Sequence, residues 1–165
     1  MGGKKYILDQ AVAARKMRRM ALEILEQNTE EAGIILVGIE GSGAVVARNI
    51  LQMIEQEGTL PVQFISLSLD KRRPAEVTLS ETPDFTDKVI IVVDDVANSG
   101  KTLLYALKPF LNYYPRKIQT LVLVGRRHNS FPVYPDYVGL ELATTLQEHI
   151  YVEVEGAEVK GAYME

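Results

Sequence analysis

Apolar and polar positions along this chain follow two periods, and the changes between them mark out its elements. Over residues 9 to 28, Ala14, Met17, Ala21, Ile24 and Leu25 recur at helical spacing, which predicts an amphipathic helix capped by Asp9. Gly33-Ile-Ile-Leu-Val-Gly-Ile39 is apolar throughout, as suits a parallel strand covered on both faces. Glu40 to Gly43 is a glycine turn, and Ala44 to Glu57 returns to helical spacing through Val45, Val46, Ile50 and Ile54. Val62 to Leu69 predicts another strand. Asp70 to Thr86 is charged, holds two prolines and shows no period, so it is expected as a mobile loop of roughly 15 residues, a length that usually carries function. Lys88-Val-Ile-Ile-Val-Val93 predicts a buried strand, a helix starts near Lys101, and Lys117 to Val124 is one more buried strand. Gly125 to Gly139 is rich in proline and aromatics, and two short strands are expected near 149–154 and 159–163. Strands alternating with helices predict an α/β chain with a parallel core sheet. No internal repeat or linker divides residues 1–165, so a single domain is expected.

Composition narrows the class. With 47% apolar and 24% charged residues, the profile is that of a soluble globular protein. No apolar run approaches the ~20 residues needed to cross a bilayer. MGGKKYILDQ lacks a signal-peptide core, so a cytoplasmic location is expected. Cysteine is absent, which excludes disulfides, thiolate metal sites and a cysteine nucleophile. A net charge of -4 weighs against a surface coated for nucleic acid, although local basic patches remain compatible with it.

The chemistry concentrates after the strand ending at Val93. In an open α/β sheet, ligands bind beyond the carboxyl ends of the strands. Asp94 and Asp95 stand there, where two carboxylates suit two adjacent sugar hydroxyls. Ala97 to Thr102 follows with backbone N–H groups, the hydroxyls of Ser99 and Thr102, and a helix start, a combination suited to a phosphate monoester. Together these describe a ribose 5-phosphate site; a helix cap or a solvated strand end is the plainer reading of the acidic pair. Gly100-Lys101-Thr102 ends like a Walker A loop, but the first glycine of that motif would fall on Asp95. Gly41 and Gly43 start like a dinucleotide fingerprint whose third small position is Val46.

VVDDVANSGKTL resembles the 5-phosphoribosyl-1-diphosphate (PRPP) signature of type I phosphoribosyltransferases. That resemblance implies their fold: a mostly parallel central sheet flanked by helices, with a small hood. It implies PRPP binding with Mg²⁺, Asp94 meeting the metal through water. Asp94, Asp95, Val96, Ala97, Asn98, Ser99, Gly100, Lys101 and Thr102 would hold ribose 5-phosphate. Glu40, Gly41, Ser42 and Gly43 occupy the place of the pyrophosphate loop, and Asp70 to Thr86 that of the flexible catalytic loop. There Lys71, Arg72 and Arg73 would close over the diphosphate, unless they are a solvated basic run; Arg72 and Arg73 join Asp94 and Asp95 as catalytic candidates. Ile7-Leu-Asp-Gln-Ala11, Arg126-Arg-His128, Pro132 and Asp136-Tyr-Val-Gly139 are similar to the PyrR branch, pyrimidine operon attenuators with uracil phosphoribosyltransferase activity. This implies pyrimidine salvage, a homodimer or larger assembly, a possible RNA partner, and Arg127, His128, Tyr137 and Val138 in the hood about the base.

The chain departs from the family at named positions. Glu40 and Ser42 stand where PyrR-like members carry Lys and Arg, and a carboxylate near a diphosphate is unfavourable without a cation between them. Asn98 replaces an Asp proposed as base in purine members, and a neutral amide cannot take a proton. Leu146 lies near the place of their base-stacking aromatic. Three functions are therefore carried forward: a uracil-type phosphoribosyltransferase, a nucleotide-sensing regulator with little or no catalysis that binds RNA or a protein partner, and a purine-type transferase. Arg15, Arg18 and Arg19 share about a third of a helix circumference, as an RNA contact, a dimer contact or a solvated basic face. Tyr113, Tyr114, Phe131, Tyr134 and Tyr137 are packing candidates.

Overall fold

The computed structural model describes residues 3–143 and 148–165. The elements in chain order are β1 (Lys5–Leu8), α1 (Gln10–Gln27), β2 (Ile34–Ile39), α2 (Ser42–Glu57), β3 (Val62–Leu69), β4 (Val77–Leu79), β5 (Val89–Ala97), α3 (Lys101–Ala106), a 3₁₀ turn at Lys108–Asn112, β6 (Lys117–Arg126), β7 (Tyr137–Leu142), β8 (Ile150–Glu155) and β9 (Glu158–Met164).

Six strands form the main sheet in the order β4-β3-β2-β5-β6-β7. All neighbours in it are parallel except the β3–β4 pair. Its central strands lack apolar alternation because each face has its own cover. Leu36, Ile91, Val93, Leu121 and Leu123 pack under α1 and α2 with Met17, Met20, Ile24, Ile50 and Ile54. The intervening Val37, Ile90, Val92 and Val122 pack on the other face with Leu103, Phe85 and Phe110. A second sheet, β1-β9-β8, is antiparallel and joins the two ends of the described chain. The architecture is the α/β arrangement expected: a mostly parallel sheet between helices, with a small second sheet as hood. No helix among the described residues is long and apolar enough to cross a membrane.

Asp9 caps α1 as expected, its Oδ1 accepting the Val12 N–H at 2.8 Å. Ala13 and Met20 are buried on this helix, whereas Ala14 and Leu25 are only half-buried. Asp70 to Thr86 is not the period-free loop expected. Val77–Leu79 pairs antiparallel with β3 in register Leu67↔Leu79 and Leu69↔Val77. Three residues are too few for an alternation to be read, and backbone pairing to an existing edge forms the strand. Phe85 then anchors the segment, fully buried and edge-on to Phe110 and Tyr113 at 5.0 and 5.1 Å. β5 also runs past Val93 to Ala97, because β6 continues to pair with it at Asp94, Val96 and Ala97.

Candidate functional site

β2 connects onward to β3 on one side of it in the sheet, while β5 connects to β6 on the other side. The sheet therefore reverses its order between β2 and β5, where ligand crevices open in α/β sheets. Their pairing ends at Gly38↔Val93. Beyond that point β2 turns through Gly41 (φ 95°) into α2, whose first turn has no side-chain cap. Gly43 lets this helix end come close: a Cβ there would lie 3.1 Å from the Asp94 Cα and Oδ1.

A cavity of 390 Å³ occupies the crevice, walled by Ser42, Lys71, residues 94–103, and Ile150 to Val152 of the hood. Asp94 and Asp95 each hold the backbone N–H of the following residue as well as lining the cavity. Asp94 Oδ1 accepts the Asp95 N–H at 2.8 Å and Asp95 Oδ1 accepts the Val96 N–H at 2.7 Å, which fixes both carboxylates. Asp94 is 1% exposed. Burial, and then the neighbouring Asp95 charge, push its carboxyl up to about 7 against the opposing pull of Lys71. The Lys71 ammonium lies 3.0 Å from Asp94 and 3.4 Å from Asp95. Burial draws its proton affinity down, and the two carboxylates more than reverse that, leaving it raised.

Gly100 adopts φ 87° and begins α3 without a side-chain cap. A Cβ on it would lie 3.0 Å from the Val133 carbonyl oxygen, because residues 129–133 fold over the loop. The Ser130 and Phe131 N–H groups donate to the Ser99 carbonyl at 2.9 and 3.1 Å. Asn98 Oδ1 accepts from Arg126 Nη1 at 3.3 Å. Two fixed carboxylates thus adjoin a loop of backbone amides and hydroxyls on one cavity wall. No group of three or more His, Cys, Asp or Glu side chains is placed to hold a metal ion among the described residues. Asp94 and Asp95 are hard oxygen acceptors of the kind that suits a Mg²⁺ keeping its own water ligands and shared with substrate phosphates.

Of the residues singled out from sequence, Ser42, Lys71 and Asp94 through Thr102 meet at this cavity. Glu40 does not line it: the residue is exposed and its N–H is held by the Leu67 carbonyl at 2.7 Å. Arg72 and Arg73 are exposed and off the wall, and Arg73 borders a separate hollow beside Asp70 and Glu76. Their neighbour Lys71 is the basic loop residue that reaches in. Arg127 pairs with Glu141 at 3.0 Å on the surface, and His128 is half-buried away from the wall. Tyr137 is not in a hood over the cavity but fully buried between α1 and β6, its hydroxyl 2.7 Å from Gln119 Oε1 and 3.0 Å from Gln27 Oε1. Val138 packs beside Gly125, whose Cβ would lie 3.2 Å from it. Leu146 lies outside the described residues. The wall from Ile150 to Val152 was not anticipated. Its only local signal is a strand-like alternation, and it reaches the site through long-range packing, with Ser42 Oγ donating to the Val152 carbonyl at 3.4 Å.

Comparison with known proteins agrees with this geometry. Residues 4–157 match the phosphoribosyl transferase domain. Bifunctional protein PyrR of Latilactobacillus sakei is 33% identical over 163 residues, covering 92% of this chain and 91% of its own. The protein of the same name from Streptococcus pneumoniae is 32% identical over 155 residues, covering 91% and 90%. Among solved structures, a hypoxanthine-guanine phosphoribosyltransferase of Bacillus anthracis superposes with a TM-score of 0.77 at 18% identity, over 96% of both chains. The hypoxanthine phosphoribosyltransferase of Trypanosoma cruzi gives 0.75 at 14% identity, over 84% of this chain and 81% of that one. These two share the fold, and the match over residues 4–157 together with PyrR places the chain in the phosphoribosyltransferase family, in its type I fold.

Proposed function

We propose that this protein transfers the 5-phosphoribosyl group of PRPP to uracil, releasing diphosphate. The observation that carries this reading is the placing of two fixed carboxylates and a loop of backbone amides and hydroxyls on one cavity wall. Asp94 and Asp95 hold the ribose hydroxyls, and the N–H groups and hydroxyls from Ala97 to Thr102 hold the 5-phosphate. With the sugar pinned at both ends, the C1–oxygen bond to diphosphate lengthens toward an oxocarbenium-like centre. A base nitrogen then forms the C1–N bond, its proton passing to solvent as diphosphate leaves. Positioning and charge stabilisation supply the acceleration, without a covalent enzyme intermediate. Mg²⁺ would be held by Asp94 and Asp95 through water, and would supply countercharge to the diphosphate.

Uracil is supported by the PyrR-like stretches and by Asn98, an amide already accepting from Arg126 and no candidate for a base in purine chemistry. A second reading, a nucleotide-sensing regulator with little or no turnover, is supported by Glu40, an exposed acid where relatives carry a base, and by Ser42 in place of an Arg. The test is turnover of PRPP against uracil, hypoxanthine and guanine, read by pyrophosphate release. Release with uracil and background with the purines is expected. No release with any base, but retained binding of uridine monophosphate, would establish the regulator instead; no binding of any nucleoside monophosphate would remove both readings. Asp95→Ala is expected to weaken uridine monophosphate binding by about 1–3 kcal/mol, the range for a lost charge-assisted hydrogen bond.

A further inference from the structure

One ammonium on the cavity wall comes from outside both the strand end and the phosphate loop. Lys71 stands on the turn between β3 and β4, where Asp70 fixes the backbone. Asp70 Oδ1 accepts the Arg72 N–H at 2.9 Å, and its carbonyl accepts the Arg73 N–H at 3.1 Å. The turn is held from three sides. Pro74 is buried, the Lys108 ammonium donates to the Ala75 carbonyl at 2.6 Å, and Leu69 pairs with Val77. Lys71 is thereby sent inward, 3.0 Å from Asp94 Oδ1 and 3.4 Å from Asp95 Oδ1.

This position coincides with the carboxylates assigned above to the ribose and its cation. Two neighbouring acids, one of them 1% exposed, repel unless a positive charge lies between them. In this structure that charge is the Lys71 ammonium. An incoming sugar brings hydroxyl donors to the same oxygens, and a divalent cation brings its own charge to them. The ammonium then has fewer acceptors and a repulsive neighbour, so it must leave.

We propose that Lys71 is a built-in stand-in for the substrate's cation, displaced from Asp94 and Asp95 when the phosphoribosyl group binds and then turned to the diphosphate. The inference rests on the reading of this cavity as a phosphoribosyl site. It has a consequence that a static cavity lacks. A ligand with ribose and phosphate alone displaces the ammonium and gives it no new partner, whereas one with a diphosphate supplies the replacement. Lys71 therefore opposes the first ligand and favours the second, which is discrimination by differential contact in two states.

Calorimetric titration of wild type and Lys71→Met, each with Mg²⁺, tests this. Methionine keeps the stem and removes the charge, and the Lys71 side chain is 47% exposed, so folding is expected to survive. The variant is expected to bind ribose 5-phosphate about tenfold more tightly and PRPP about tenfold more weakly. Shifts of the same sign for both ligands, or none, overturn the proposal. A second readout uses wild-type protein alone: labelling by an amine-reactive reagent, mapped by mass spectrometry. Ribose 5-phosphate with Mg²⁺ is expected to increase labelling at Lys71 several-fold, and PRPP with Mg²⁺ to leave it protected. Unchanged or reduced labelling with ribose 5-phosphate overturns the displacement. Binding of neither ligand by wild type is a different failure, because it removes the phosphoribosyl reading together with this one.

Discussion

A carboxyl group that water cannot reach ionises reluctantly, and Asp94 adds a second acid as its neighbour. Its folded value of about 7 lies above the ordinary 3.8. Between those two values the folded chain keeps a proton that the unfolded chain has released. The stabilisation is complete below about pH 4, falls as pH rises toward 7, and is gone above it. Asp94→Asn removes this dependence. The ligand-free variant is expected to match wild type near pH 4 and to exceed it at pH 8 by roughly 2–4 kcal/mol, the upper end being the full shift converted. Denaturant titrations at both pH values check this, and equal stability at pH 8 would mean that burial does not raise the Asp94 carboxyl in the folded chain. The same variant is expected to lose ribose binding, so stability and function pull in opposite directions at one side chain. Asp94, Asp95 and the loop to Thr102 were legible in sequence because they are consecutive. Lys71 was not separable from Arg72 and Arg73, because the Asp70 turn decides which of the three points inward.

Elements were legible where one period ran long enough. β2 and β5 stood out as apolar runs because sheet and helices cover both their faces, and α1 and α2 through their helical stripes. β1, β4 and β7 escaped because they are short, lie at sheet edges and mix polar with apolar residues, so partner strands rather than their own pattern define them. The edge strand β7 also shows why a basic stripe on α1 is a poor sign of an RNA surface. Arg19 donates to the Val138 and Gly139 carbonyls at 2.9 Å each and pairs with Glu23, while Arg18 pairs with Glu57. Arg19→Ala is expected to destabilise by about 1–2 kcal/mol, the range for lost hydrogen bonds, with faster amide exchange along β7. Arg15→Ala, at an exposed position on the same stripe, is the control expected to change neither. Where α2 meets β5, Gly43→Ala tests the close approach at the site. A methyl 3.1 Å from Asp94 must move helix or strand, so a loss of about 1–3 kcal/mol is expected from overpacking, with weaker nucleotide binding in the same variant.

At the scale of the whole molecule, a net charge of -4 and the commitment of Arg18 and Arg19 to partners within the chain weigh against a surface built for a phosphate backbone. Fluorescence anisotropy with a single-stranded RNA is expected to give binding no tighter than the ~10⁻⁴–10⁻⁶ M typical of non-specific contacts at physiological salt. A nanomolar complex would overturn that expectation and favour the regulator. The hood carries a different consequence, in time rather than affinity. β1 is joined to β9 and, through the Tyr6 hydroxyl, to Glu153 of β8 across 147 positions of sequence. The parallel core, in contrast, is built from strands and helices that follow one another closely. Contacts between distant segments carry the larger loop-closure entropy and tend to form late. Refolding chains would therefore assemble the acidic pair and the loop to Thr102 before the wall from Ile150 to Val152 reaches them. The Tyr163 ring lies 5.6 Å from that of Tyr6 and 5.3 Å from that of Tyr151 in that hood, and the chain has no tryptophan. Stopped-flow tyrosine fluorescence would then show a phase slower than the backbone circular dichroism, and recovery of ligand binding would follow that slower phase.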